Sequence, residues 1–310
     1  MVKSEFPIGK SRLLIGGTIL MQDIDLEYRI VGKGDITLIL ETGIGGSFYY
    51  WYPFIQKIKN NFNIVLYHRA GYGNSQTPNT ARTTKNIAEE LNELIENIGI
   101  TDRFVLMGHS FGGLCAQHFA KMYPNKLLGL ILLDATSHHY SRLYNLDNPI
   151  MNSLISIEQM VENNLTNSIK TPGELKEKYK QVIAKYKTIL PENDRNKFED
   201  YLTNPQLFKT IAEEFKNWGI SSDQMMQLGD FPDIPLIVIA RDKEVSVKSF
   251  VEYDIPEKEA VLYEDVWRDL QIELSQLSNN GSFIIADKSD HDIHLDRPDI
   301  IIDCLKGFLV

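Results

Sequence analysis

Cysteine is scarce. The 310 residues hold only Cys115 and Cys304, and neither stands in a CxxC or other ligand-like spacing. Nothing in that pattern supports a disulfide scaffold or a zinc site. Basic charge is also short, with 32 Lys and Arg against 42 Asp and Glu, a formal net charge of -10. That balance argues against broad binding to nucleic acid or to an anionic membrane surface. No apolar run approaches the ~18 residues that a membrane span requires, so no stable membrane insertion is expected. The apolar stretch from Leu13 to Met21 is short and broken by Gly16-Gly17, with no clean small-residue cleavage site after it. It reads as a first strand entering a turn rather than a secretory leader, and a cytoplasmic location is expected. Nucleotide-binding patterns are missing as well. A G-x-G-x-x-G beginning at Gly43 would need glycine at position 48, where Phe48 stands, and there is no Walker sequence. No cofactor and no metal are expected. The chain also lacks internal repeats and low-complexity tracts.

What is present is a succession of short apolar runs separated by helical patterns. "DITLILE" (35–41), "NIVLYH" (63–68), "RFVLMG" (103–108), "LLGLILLD" (127–134), "IPLIVIA" (234–240) and "GSFIIAD" (281–287) read as strands, most of them apolar enough to be buried on both faces. Between the second and third, Ile87, Ala88, Leu91, Leu94, Ile95 and Ile98 fall on one helical face, and Gly99 ends the helix. Later, Val266, Trp267, Leu270, Leu274 and Leu277 share one side of another. This alternation predicts an α/β fold, a mostly parallel, doubly wound sheet. Residues 138–230 break the pattern. They are rich in Lys, Glu, Asn and Leu, show no strong strand signal, and read as a helical insertion in a core formed by 1–137 and 231–310.

The chemistry centres on Gly108-His109-Ser110-Phe111-Gly112, a G-x-S-x-G with a strand before it and a helix after it. A serine in such a turn is held in a strained backbone conformation at a helix N-terminus, where developing negative charge is favoured. A serine nucleophile needs a base. The last strand leads into "DKSDHDIHLDRP", which supplies His291 just beyond the strand end, while His294 falls at the start of the next helix. The base needs an orienting carboxylate. Asp242 and Glu244 follow one strand and Asp134 ends an earlier one, so all three reach the carboxyl edge of the sheet, where sites form. Asp242 is the favoured partner, with Glu244 and Asp134 as alternatives. The oxyanion donors are expected to be the N–H groups of Phe111 and of Ile44, in the glycine-rich loop "ETGIGGSFYYW". Gly43, His109, Tyr49 and Trp51 are expected to border the substrate. In the insertion, Met151, Met160, Met225, Met226, Phe208, Phe215 and Trp218 either line an apolar pocket or form the insertion's own core.

On these residues the chain resembles the α/β-hydrolase fold superfamily. The likeness covers almost the whole chain outside the insertion and is carried by "ETGIGG", "YHRAGYGNSQTP", "GHSFGG", "LLDAT", "PLIVIARD" and "SDHDIHLDRP". It implies an eight-stranded sheet with a helical cap at 138–230. The family's D-R-x-G-x-G-x-S carries His68 in place of aspartate here, and a structural role is expected for it. Asp290 replaces the glycine that usually precedes the histidine. No glycine in "IARDKE" fixes the position of the acid, and in some members the acid follows the earlier strand. The resemblance implies a serine hydrolase, most simply a carboxylesterase acting on a small or medium apolar ester. The other readings are another reaction of the same three groups, such as C–C bond hydrolysis, lactone opening or aminopeptidase action, and a non-catalytic ligand-binding protein. The expected partner is a small molecule; oligomeric state is not encoded in any of these patterns.

Overall fold

In the computed structural model, residues 15–19 and 25–309 are described. The strands are β1 (Ile15–Ile19), β2 (Leu26–Gly32), β3 (Ile36–Glu41), β4 (Phe62–Tyr67), β5 (Phe104–His109), β6 (Leu127–Leu133), β7 (Leu236–Arg241) and β8 (Gly281–Ala286). They form one eight-stranded sheet in the order β1-β2-β4-β3-β5-β6-β7-β8. β2 runs antiparallel to both β1 and β4, and every pairing from β4 to β8 is parallel. The ends of the Leu13–Met21 stretch lie outside the described residues, as does the leader question. Among the described residues, no helix is long and apolar enough to cross a membrane.

The near-continuous apolar character of β3 to β7 has a direct cause. Their alternate side chains enter cores on opposite sheet faces. Leu38, Leu40, Ile64, Leu66, Val105 and Met107 belong to one core, and Ile39, Val65, Leu106, Leu130, Leu132 and Val238 to the other. Helices cover both faces: α1 (Tyr52–Ile58), α2 (Thr84–Asn97) and α3 (Phe111–Met122) early in the chain, and α12 (Lys243–Glu252), α13 (Glu257–Ser275), α14 (Ile293–Asp296) and α15 (Pro298–Lys306) late in it. α2 buries Ile87, Ala88, Leu91, Leu94 and Ile95, the face read from the sequence, and Gly99 follows it at φ 76°. α13 buries Trp267, Leu270 and Leu274 but ends at Ser275, before Leu277. It also buries Glu264 and Gln271, which the apolar periodicity did not flag.

Between β6 and β7 the described residues form helices and connecting turns only. Eight helices run from α4 (Ser141–Tyr144) to α11 (Trp218–Met226), including α6 (Ile157–Ser168), α9 (Glu192–Leu202) and α10 (Pro205–Lys216). Of the apolar side chains singled out there, Met151, Met225, Phe208, Phe215 and Trp218 are buried, whereas Met226 is half exposed. Trp218 stacks on Phe111 with ring centroids 5.7 Å apart.

Candidate active site

Ser110 sits between β5 and α3 with φ 54° and ψ −125°. This is a strained conformation for a residue with a Cβ, and it persists only because its surroundings over-determine it. The glycines explain how. A Cβ on Gly112 would lie 2.3 Å from the carbonyl oxygen of Glu41, and one on Gly113 would lie 2.3 Å from the Cβ of Ala135. α3 can therefore press its first turn against the ends of β3 and β6 only because both positions are glycine. The Ser110 N–H reaches the Leu133 carbonyl, and the Ser110 carbonyl accepts from Gly113 and Thr136. The backbone is thus pinned on both sides. The hydroxyl takes no part in capping the helix.

His291 follows β8, and its Nδ1 lies 2.6 Å from Oδ2 of Asp134. The carboxylate that meets the histidine is therefore Asp134, at the end of β6, and not Asp242. Asp242 is turned to another task. It is the N-cap of α12, where its carboxylate accepts the N–H groups of Glu244 (3.0 Å) and Lys288 (2.8 Å). Glu244, in the first turn of that helix, is exposed. β6, which ends at Asp134, lies directly beside β5, and β7 is one strand further out.

Asp134 is fully buried and has φ 39°. Four donors converge on it: Arg241 Nη1 (2.9 Å), the Arg241 N–H (3.3 Å), Trp267 Nε1 (2.7 Å) and the His291 imidazole. Burial alone would raise its pKa. The Arg241 guanidinium, then His291 and Trp267, outweigh burial and hold the carboxyl well below the usual range. Arg241 in turn pairs with Glu264 of α13. The sequence reading missed Arg241, Trp267 and Glu264. The one available signal was the pair of charged residues interrupting otherwise apolar elements, an arginine ending a buried strand and a glutamate on a buried helix face.

Two further imidazoles crowd His291. His109 is buried, with its Nε2 3.0 Å from the His291 carbonyl and its ring 4.6 Å from that of His291. Burial, reinforced by His291, pushes its pKa down to about 4. His294 stacks on Trp51 at 3.9 Å, and burial drives its pKa well down too. Both stay neutral near pH 7. His109, Asp292 and His294 each bring one ligand-type atom within 4.8 Å of the others. His109 Nε2 already hydrogen-bonds the His291 carbonyl, and the Asp292 side chain is 58% exposed.

The residues expected at the oxyanion and substrate positions divide. A Cβ on Gly43 would lie 3.2 Å from Ser110 Cβ and 3.2 Å from His109 Nδ1, so the loop passes directly over the serine. Ile44 is the next residue. The N–H of Phe111, in the first turn of α3, has no acceptor within the helix. Tyr49 and Trp51 lie in the turn of 3₁₀ helix Phe48–Trp51. Both are buried, Trp51 against His294 and Phe54, and Tyr49 with its hydroxyl accepting from Arg29 Nη2 (2.9 Å). Tyr49 also lines a small cavity with Glu27, His68 and Tyr201.

His68 completes a second Ser–His–acid set. Its Nε2 lies 2.8 Å from Ser47 Oγ and its Nδ1 lies 2.7 Å from Glu27 Oε2. Burial raises the Glu27 pKa, and the His68 contact overrides it to bring the carboxyl down to about 2. Ser47 is fully buried and Phe48 stacks on the His68 ring at 4.0 Å, so no substrate can reach that hydroxyl. The set ties β2, β4 and the Ser47 turn together.

A family model described as the alpha/beta hydrolase fold matches residues 36–298. An uncharacterized Bacillus subtilis protein, YqjL, is 23% identical over 270 residues, 87% of this chain and 82% of its own length. A proline iminopeptidase of Saccharolobus solfataricus is 28% identical over 164 residues, 52% of this chain and 46% of that protein. The solved structure of the epoxide hydrolase CorEH superposes with a TM-score of 0.64 at 17% identity, covering 96% of this chain and 98% of that one, which speaks for the fold alone. With its sheet order, its serine turn and a family match running from β3 to the start of α15, this chain belongs to the α/β-hydrolase fold family of hydrolases.

Proposed function

We propose that the protein is a serine hydrolase of the carboxylesterase type, cleaving a small or medium apolar ester through an acyl-enzyme on Ser110. One observation carries this reading. A strained serine at the β5–α3 turn and a 2.6 Å His291–Asp134 pair share the carboxyl edge of the sheet. The Ser110 oxygen attacks the ester carbonyl carbon while His291 Nε2 takes the hydroxyl proton. Asp134, ionised, fixes the Nδ1–H tautomer and stabilises the imidazolium. The N–H groups of Ile44 and Phe111 receive the negative charge that forms on the carbonyl oxygen. His291 then protonates the leaving alcohol, and water, deprotonated by the same imidazole, releases the acid. Serine at position 110 also separates this chain from family members that use aspartate there, as the resemblance implies for epoxide hydrolases. Residues 138–230 act as the cap, with Trp218 stacked on Phe111.

A fluorophosphonate probe tests the reading. The wild type should be labelled on Ser110 and Ser110→Ala should not. An unlabelled wild type, or equal labelling of Ser110→Ala, overturns it and leaves the binding-protein reading. The proline iminopeptidase likeness favours aminopeptidase action as the second reading. Graded nitrophenyl esters assayed beside proline naphthylamide separate the two, since turnover confined to the amide displaces the esterase assignment.

A further inference from the structure

The loop that carries Ile44 is not held by the core alone. The carbonyl groups on either side of Ile44 are held by side chains. Arg69 Nη1 donates to the Thr42 carbonyl (2.6 Å) and Arg69 Nη2 to that of Gly43 (3.0 Å). Tyr201, on α9, donates its hydroxyl to the carbonyls of Gly45 (3.1 Å) and Gly46 (3.0 Å). The Gly45 N–H donates to the Tyr72 hydroxyl (2.8 Å), and that hydroxyl donates to Glu214 of α10 (2.5 Å). Glu214, fully buried, also accepts from Arg69 Nε (2.8 Å). Gly45, at φ 65°, leaves just enough room for Ile211 of α10, whose Cδ1 would stand 3.0 Å from a Cβ there.

Two helices from the 138–230 segment therefore grip the turn that presents the Ile44 N–H. The grip is polar, buried and charged. Arg69 lies between two carboxylates, Glu41 and Glu214, all three almost wholly buried. Burying such a set is a poor route to stability, because the desolvation penalty offsets most of the attraction. Its directional hydrogen bonds instead fix the position of one loop relative to one helix. A merely adhesive contact would be served as well by apolar side chains.

We infer that Tyr201 and Glu214 are positioning residues for the oxyanion donor, so that the cap sets the geometry of the Ile44 N–H and not just the shape of the substrate pocket. The inference rests on the serine-hydrolase reading. Oxyanion stabilisation depends on donors aimed in advance at the position the charge will occupy. A loop released from Tyr201 keeps its fold but loses that aim. Substrate binding is affected little, because the ground-state carbonyl interacts weakly with these donors.

The experiment uses Tyr201→Phe and Tyr72→Phe in the full chain, with Glu214→Gln as a third variant. Tyr201→Phe keeps the ring and removes only the hydroxyl that spans Gly45 and Gly46. Each of the three variants should lower kcat on nitrophenyl acetate about tenfold, on the scale expected for sub-ångström misplacement of a catalytic group. KM should stay within about twofold, as expected for an interaction made only in the transition state. The Ki of a trifluoromethyl ketone, which forms an oxyanion on Ser110, should rise by the same factor as kcat falls. Unchanged kcat and Ki in Tyr201→Phe or in Glu214→Gln, with or without a lower Tm, overturns the inference while leaving the serine reading intact. Raised KM at unchanged kcat overturns it as well. A wild type that fluorophosphonate does not label fails for the other reason, loss of the serine reading itself.

Discussion

Replacing Asp134 by asparagine separates the carboxylate that the tertiary structure pairs with His291 from the one favoured by the sequence. Asp134 accepts from four donors, two on Arg241, one on Trp267 and one on His291. An asparagine side chain offers a single acceptor oxygen and presents an NH₂ group to the rest. If its oxygen satisfies Trp267 and the Arg241 N–H, its NH₂ faces His291, which must turn its lone pair inward at Nδ1. Nε2 then carries the proton and cannot take another from Ser110. The expected loss is about 10⁴ in turnover, equivalent to about 5 kcal/mol of transition-state stabilisation. Stability falls too, since one carboxylate of a buried ion pair is removed. Arg241 keeps Glu264, so the cost should sit near the lower end of the range for broken buried pairs, about 3 kcal/mol. Asp242→Asn is the control. Asparagine caps helices as well as aspartate does, so this variant should keep turnover within about twofold and lose only about 1 kcal/mol of stability, from the Lys288 N–H that then faces an NH₂ group. The assay is nitrophenyl ester hydrolysis with the folded fraction fixed by circular dichroism. If Asp134→Asn retains turnover within tenfold while Asp242→Asn loses it, the placement of the acid on β6 is refuted.

Two further outcomes follow from other parts of the molecule. His109 is neutral in the fold, its pKa lowered from 6.5 to about 4, mainly by burial. The unfolded chain therefore binds more protons between those values, and stability present above pH 6.5 is lost as the pH falls toward 4. This one imidazole accounts for about 2 kcal/mol between pH 7 and pH 5, and His118 and His138, also lowered to about 4 by burial, act in the same direction. Thermal melts from pH 7 to 5 should show a steady fall in Tm, and a flat profile contradicts the buried neutral assignment. Glycine substitutions should sort by surroundings. Gly99→Ala meets nothing within 4 Å and pays only for its φ of 76°, about 1 kcal/mol. Gly112→Ala meets two backbone carbonyls at 2.3 and 2.4 Å and should reduce soluble yield or Tm far more. Equal denaturant midpoints for the two variants would show that the α3–β3 approach is looser than described.

How far each feature was legible from the sequence depended on how local its cause is. Ser110 was legible because a strand, a glycine-flanked serine and a helix are contiguous, and short-range sterics fix what such a stretch does. The burial of β3 to β7 on both faces was legible because continuous apolar runs have few other uses. His291 could be located as the histidine after the last strand. The acid was not legible in this way. Asp134, Asp242 and Glu244 all follow parallel strands and all reach the same sheet edge, so distance along the chain does not rank them. The burial of Tyr49 and Trp51 was not legible for a related reason. Proximity to the glycine loop in sequence did not reveal that the turn after Ser47 carries their rings into the core.

The sequence by itself determined the strand–turn–helix at Ser110, the α/β alternation, the all-helical stretch from 138 to 230 and the three candidate carboxylates. Those are consequences of local sterics and hydrophobic period. Only the tertiary structure decided which carboxylate meets His291, that Arg241 and Trp267 keep it ionised, that a Ser47–His68–Glu27 set is sealed, and that Tyr201 and Glu214 grip the Ile44 loop. Each of those contacts joins residues distant in sequence, 21 to 157 positions apart across the hydrogen bonds concerned. The lateral order of strands and the docking of helices onto them set which of many chemically suitable groups become neighbours, and no periodicity in one dimension carries that information.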